Sequence, residues 1–531
     1  MNIKNRKNVI YYFIILTIMA IIVIYVYMYN KSSFVKEQNC FKIGAVFQNK
    51  GGFSPYYFSS FDNVFITNMM YSGLVMYDNS GNVVPELAES YVIASDYKSI
   101  RFVLRDNIYF HDGTLVTTKD IKYTFDNIIS RKYSNFQCIC DFIERSEIIS
   151  PREIIFYLKQ VYPIPEYFFT TNIISSKEEF NEEKIKSNPN GTGMFELFKQ
   201  DNSDGVFLKR YKRHFDNIKS NIDFLYYKFY PDKKKEWAGF LRGEIDFFYN
   251  PDSIQLKEIE NSKWCKVISF PDLRYHLINL NIKNEFLRDI DVREVIDLAI
   301  DRKEILEKVF NNKGRVISSP CGAMGYTEVS GMLKASNSLK SAYNILISKG
   351  FIDSDNDGIL EKNGKSFHLK LIINTTVKEL NEIAKLIKLH LKKIGIYVEI
   401  EKIDNIEEYY MRLEKEQNFD LAFDEKLIYF ADPWAFIFWT KDFGTEPYIL
   451  EKSDLFAEIF WKLLLTKKES EKIRYVSELI SLIKEEKKNL FLCYPVKYVA
   501  FNNDYDFSGI DYAHPFNFNV SIPKITKTKR R

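Results

Sequence analysis

Between Val9 and Tyr29 the chain runs for 21 residues without a charge (VIYYFIILTIMAIIVIYVYMY), and no other long apolar run follows. At about 1.5 Å per residue such a run spans a hydrocarbon core of about 30 Å. One run allows one membrane crossing, so everything after it must fold by burying its own apolar surface. Lys4, Arg6 and Lys7 precede the run. Positive flanks stay inside, which makes residues 1–30 a cytoplasmic tail and a membrane anchor or signal. The rest is then expected on the outer face of the cytoplasmic membrane. A secretory signal has a core of only about 7–15 residues and a small-residue cleavage pattern. Neither fits here, so the run is read as an uncleaved anchor. Cys40 follows Glu37, Gln38 and Asn39, which does not resemble a lipid-attachment site.

The 531 residues correspond, at about 150 per domain, to three or four domains' worth of fold. With 46% hydrophobic and 27% charged residues the balance is globular, not disordered or polytopic. Lys and Arg (74) nearly cancel Asp and Glu (71), leaving +3, which gives no reason to expect nucleic acid as a partner. Six cysteines (40, 138, 140, 265, 321 and 493) are too scattered for a disulfide framework. Cys138 and Cys140 lack the second close pair of a zinc site and read as thiols.

Motifs for catalysis are missing. There is neither a His-Glu-x-x-His helix nor a Gly-x-Ser-x-Gly elbow. Gly358 to Ser366 has one residue too many for a phosphate loop, and the six histidines are dispersed. No enzyme activity, cofactor or metal is expected. Asp353, Asp355 and Asp357 before Gly358 have the spacing of a calcium loop, but the twelfth position, normally Glu, is Gly364. The segment is therefore read as an Asp/Asn/Gly turn.

Local patterns alternate between strand and helix. Ser99 to Arg105 has period two. A helix should begin around Thr118 and run through IKYTFDNII. Asp301 with Glu304 reads as a capping box in front of Ile305, Leu306 and Val309. Glu379 to Lys393 is an amphipathic helix that should stop at Gly395 before the strand IYVEIEKI. The fold class is mixed α/β.

Eight segments in order resemble the extracellular solute-binding proteins of family 5, which serve ABC importers of oligopeptides, dipeptides and nickel. They are Met70–Asp78 (MYSGLVMYD), Val84–Tyr91 (VPELAESY), Leu104–Thr114 (LRDNIYFHDGT), Lys119–Phe125, Asn190–Phe195 (NGTGMF), Asp291–Arg302 (DVREVIDLAIDR), Gly350–Gly358 and Leu391–Glu399. Most read as scaffold. The His111–Thr114 turn and the Asn190–Gly193 turn would use glycine at positive φ, and Asp291 and Asp301 would cap successive helices.

The resemblance implies a two-lobed periplasmic-binding-protein-like fold (type II, cluster C like) with an extra subdomain in lobe one, preceded here by the transmembrane helix. Lobe one would comprise 41–62, 186–271 and 493–531, the extra subdomain 63–185, and lobe two 272–492, with crossings near Pro271 and Pro495. Ligand would close the lobes by hinge motion. The implied function is peptide capture for an ABC permease and its ATPase subunits. A non-peptide solute or nickel chelate, or a membrane-tethered ligand sensor, is the alternative. In many peptide binders of the family an Asp-rich segment grips the peptide's α-amino group. Here Tyr429–Phe436 (YFADPWAF) keeps one Asp. By its Asp-Pro pair Asp432 matches the structural residue, with amine anchoring as its alternative role. The gripping position is then absent or filled by Tyr429 or Phe430, with Glu425 a nearby alternative carboxylate. The ligand is expected between Tyr275 and Asn279, the segment with Tyr429, Asp432 and Trp434, and Phe53 and Tyr56 from the first strand's following loop.

Overall fold

The computed structural model describes residues 39–528 apart from 47–51, 57–60, 79–82, 134–135, 160–164, 178, 202–203, 217–219, 273, 321–337, 376, 428–435, 437–438, 440–450, 467 and 508–524. The apolar run Val9–Tyr29 and Cys321 lie outside the described residues. Among those described, no helix is long and apolar enough to cross a membrane.

A 12-stranded mixed sheet runs through the molecule. Its first half pairs Cys40–Ala45 in parallel with Phe224–Phe229, continues antiparallel through Gly205–Arg210 and Phe195–Asp201, and joins Phe247–Tyr249 on the other side. Its second half pairs Arg274–Leu280 antiparallel with Leu421–Leu427, which continues in parallel to His368–Asn374 and Tyr397–Ile403. The 14-residue strand Asn489–Asn502 belongs to both halves. Asn489–Cys493 pairs with Arg274–Leu280, whereas Val496–Asn502 pairs with Cys265–Pro271. Sheets covered on both faces read as near-continuous apolar runs, and this strand is one (NLFLCYPVKYVAFN). It feeds both cores: Leu490, Leu492 and Cys493 enter one, Phe491, Tyr494, Val499 and Phe501 the other.

The second core packs Ile290–Ala299, Arg302–Phe310, Leu339–Ser348 and Lys378–Lys392 on the sheet. The last of these helices ends as its sequence requires. Gly395 takes φ +80, and Ile396 N–H bonds back to Leu391 O at 3.1 Å.

Four strands between Ala88 and Leu158 build an antiparallel sheet, in the order Ala88–Ile93, Ser99–Leu104, Glu153–Leu158, Ile143–Ser150. Ile100, Phe102 and Leu104 point inward as the period-two pattern predicts. The helix Thr118–Arg131 backs this sheet, and Asp120 Oδ2 accepts from Thr117 N–H at 2.8 Å at its start. Rings of Phe102, Phe125, Phe156 and Phe169 meet at 4.6–6.3 Å, and this core is continuous with that of the first half.

Two capping expectations need correction. Asp301 does cap Arg302–Phe310, accepting from Lys303 and Glu304 N–H at 3.0 Å. Glu304 does not reach back to complete the box. Its carboxylate pairs with His390 Nε2 at 2.8 Å and with Lys308, and Asp301 N–H instead donates to His390 Nδ1 at 3.3 Å. The preceding helix is capped by Asp289, not Asp291. Asp291 sits in the first turn, where the helix dipole favours an anion, and pairs with Lys349.

Candidate functional site

The two halves of the sheet are joined where Cys265–Pro271 passes into Arg274–Leu280, and again within Asn489–Asn502. These crossings lie side by side: Pro271 is in register with Val496, Asp272 N–H donates to Pro495 O at 3.0 Å, and His276 is in register with Cys493. Charged groups gather there, most of them inside strands. His276 Nδ1 lies 3.3 Å from Glu425 Oε1, Arg274 reaches the same carboxylate at 3.7 Å, and Lys497 pairs with Asp272 at 3.3 Å. The His276 side chain is 4% exposed. Burial, reinforced by the Lys497 charge, pulls it down to about 4, so the imidazole is neutral near pH 7. Burial likewise pushes Glu425 above the usual carboxylate range, with Arg274 opposing.

Side chains alternate across a strand, so Tyr275 and Asn279 share the opposite face. Tyr275 packs against Phe491 and Tyr494, with ring centroids at 5.9 and 5.5 Å. Asn279 is fully buried in a polar chain. Trp439 Nε1–H donates to Asn489 Oδ1 at 3.0 Å, Asn489 Nδ2–H to Asn279 Oδ1 at 2.7 Å, and Asn279 Nδ2–H to Asp424 Oδ2 at 3.4 Å. Lys426 Nζ stands 3.4 Å from that same oxygen. Burial outweighs the lysine, and the Asp424 carboxyl is pushed up.

Tyr275 and Asn279 are thus brought together on one wall. Phe53 and Tyr56 are both buried but sit among other partners. Phe53 N–H donates to Lys186 O at 3.0 Å, and the Tyr56 ring meets Tyr133, Phe136 and Phe180 at 5.5–6.4 Å. Tyr429, Asp432 and Trp434 lie outside the described residues. Beyond the expected set the structure adds His276, Arg274, Asp272, Asp424, Lys426 and Lys497. The one signal in the sequence was charge inside otherwise apolar strands (RYHLINL, LAFDEKL). A cavity of about 670 Å³, an open charged groove, lies at the sheet's outer edge by Lys370, Glu401 and Arg412, remote from the crossing in sheet order.

Three turns assemble into one junction. His111 N–H donates to Gly191 O and its Nε2 contacts Gly193 O, both at 2.9 Å, while Gly193 N–H donates to Met70 O at 2.9 Å. Gly113 takes φ +83 as expected, but Gly191 and Gly193 do not adopt positive φ. They are needed for closeness instead. A Cβ on Gly191 would lie 1.9 Å from Met70 O, and one on Gly193 2.5 Å from Met69 O. Burial lowers His111 to about 4, and its Nδ1 is enclosed without a hydrogen-bond partner among the described residues.

A pH dependence follows. Both His111 and His276 have folded values near 4, below the unfolded value of about 6.5. Between those limits the unfolded chain binds more protons, so stability falls as pH drops from about 6.5 to 4, by at most about 1.4 kcal/mol per unit for each histidine. The raised carboxyls of Asp424 and Glu425 take up protons in the fold and offset part of the His276 loss. His111 is the cleaner reporter. Melting followed against pH should show a shallower acid slope in His111→Gln, and an unchanged slope would refute the assignment.

A family model described as bacterial extracellular solute-binding proteins, family 5 Middle, matches residues 82–445. The oligopeptide-binding protein AppA of Bacillus subtilis is 28% identical over 356 residues, which cover 64% of this chain and 64% of that relative. Among solved structures, AppA of Bacillus subtilis in complex with a nonapeptide superposes with a TM-score of 0.71 at 23% identity, covering 92% of this chain and 99% of that one. NikZ from Campylobacter jejuni in complex with Ni(L-His) gives 0.73 at 22% identity, covering 92% and 100%. These likenesses identify the fold as the mixed α/β, two-lobed binding-protein architecture.

Proposed function

The chain belongs to the bacterial extracellular solute-binding proteins of family 5, and from that membership we propose that it is the substrate-binding component of an ABC importer. It captures a peptide between its lobes and delivers it to a permease with ATPase subunits. The observation that carries the peptide reading is the 28% identity to an oligopeptide-binding protein. The paired crossings at Pro271–Arg274 and Cys493–Val496 support closure, because two adjacent backbone connections can flex together as one hinge. Binding, closure and docking are the whole mechanism, and no bond is made or broken.

Lobe one then takes residues 41–62, 186–271 and 493–531, with 63–185 as its extra subdomain, and lobe two takes 272–492. The ligand lies between Tyr275, Asn279 and the Tyr429–Trp434 segment, faced by Phe53 and Tyr56. Asp432 keeps a structural place. Of the described carboxylates, Asp424 shares the Tyr275 and Asn279 face and accepts from Asn279, whereas Glu425 lies on the opposite face beside His276. Residues 9–29 hold the protein at the outer face of the membrane. N-terminal sequencing of membrane-bound protein checks that, and a mature start near residues 30–40 would replace the anchor by a cleaved signal.

The test is mass spectrometry of solute released from protein purified without denaturation, followed by scattering with the identified solute. A peptide is expected. On rebinding it should shrink the radius of gyration and, at about 100 times Kd, add about 2.7 kcal/mol of stability. A released metal chelate or non-peptide solute would overturn the peptide reading. A tight ligand that leaves the dimensions unchanged would overturn closure.

A further inference from the structure

Residues 353–361 carry groups that solute binding does not use. The loop lies between the helix Leu339–Ser348 and the hairpin Glu361–Lys362 with Lys365–Ser366. Paired backbone bonds between Ile352 and Glu361, at 3.0 and 2.7 Å, close its base, and buried Phe351 and Leu360 root it in the second core. The carboxylates of Asp353, Asp355, Asp357 and Glu361 each bring an oxygen within 4.8 Å of the others. The sequence pattern lacked its final acidic ligand at Gly364, and Glu361 supplies one three residues earlier.

Glu361 is 9% exposed. Its Oε2 accepts from Ser354 N–H and Oγ–H, both at 2.8 Å, and its Oε1 is buried with no hydrogen-bond partner among the described residues. Asp353 repeats the arrangement: Oδ2 accepts from Gly358 N–H at 3.0 Å, and Oδ1 is buried and unpartnered among the described residues. Asp355 and Asp357 are tethered through Oδ1 by Asp357 N–H at 3.1 Å and Ile359 N–H at 2.7 Å. The loop backbone thus fixes one oxygen of every carboxylate. Among the described residues no lysine or arginine forms an ion pair with any of the four. Burying unpaired carboxylate oxygens this close together is costly unless a cation joins them.

We propose that Asp353, Asp355, Asp357 and Glu361 form a calcium site that braces this loop of the second core. An all-carboxylate set with no His or Cys selects a hard cation. Four protein carboxylates suit calcium, which takes 6–8 oxygens in flexible geometry, better than magnesium, which keeps most of its waters. Exposed Asp355 and Asp357 leave a side open for water to complete the shell. The proposal does not depend on which solute the protein carries.

Calorimetric titration of chelator-stripped, full-length protein with calcium chloride tests it. One ion per chain is expected, with a melting temperature that climbs with calcium concentration. Asp355→Asn should weaken calcium binding by about tenfold or more while leaving metal-free melting unchanged, because Asp355 is exposed. Glu361→Gln should abolish binding, and if that variant does not fold, Asp357→Asn joins Asp355→Asn in deciding. Magnesium should bind at least about tenfold more weakly. No saturable calcium binding at millimolar concentration, wild-type affinity in Asp355→Asn, or equal affinity for magnesium would each overturn the assignment.

Discussion

Gly191→Ala is expected to cost about 3 kcal/mol or more of stability, the upper range for forcing volume into a packed site. The added methyl would meet Met70 O at 1.9 Å, Met70 C at 2.8 Å and Tyr71 Cδ1 at 2.8 Å. Backbone cannot swing aside as a long side chain would. Met70 O is held by Gly193 N–H, and Gly191 O is held by His111 N–H, both at 2.9 Å. Relieving the clash therefore breaks the junction of all three turns. Gly113→Ala is the control. It meets only Arg213 Nη1 at 3.4 Å, so its cost, about 1 kcal/mol, comes from φ +83 alone. Calorimetric melting without ligand compares the two. A Gly191→Ala protein that melts with the parent would show that the junction tolerates a side chain.

That junction also marks what a sequence can disclose. Local rules were legible: Ser99–Leu104 alternates, Thr118–Arg131 carries a helical stripe, and Gly395 ends its helix at positive φ. The glycines of Asn190–Gly193 looked like turn residues because sequence displays backbone freedom but not the Met70 carbonyl that approaches Gly191 from 121 positions earlier. Glu304 failed as a capping partner for a similar reason, since His390 on another helix competes for its carboxylate. At the crossing, Tyr275 and Asn279 could be placed by analogy of position, but their surroundings could not. Asn279 contacts Asp424 and Asn489, which lie 145 and 210 residues away. Only strand register decides which of the charges in LAFDEKL share its face.

The same register makes Asp424 the second site of large effect. Asp424→Ala should cost about 3–5 kcal/mol, the scale for removing one partner of a buried ion pair. It takes the anion from Lys426 at 3.4 Å and an acceptor from both Asn279 and the Glu425 N–H, the latter at 2.7 Å. The pair itself is a weak source of net stability, because burial pushes the Asp424 carboxyl up despite the lysine. Desolvation has the larger hand, and a well-packed apolar pair can replace such groups at little net cost. Asp424→Leu combined with Lys426→Met is therefore expected to melt within about 1–2 kcal/mol of the parent although each single change is costly. Melting of the two singles and the double gives the coupling directly, and additive losses would refute it. Solute affinity of the double variant then reads what the charges are for. The pair sits on the face of Tyr275 and Asn279, one strand from the crossing, where the proposed closure would repack side chains. A stable double variant that binds solute more weakly, or no longer compacts, would assign the buried charges to binding and hinge motion. Unchanged affinity and compaction would leave them as devices of strand register alone.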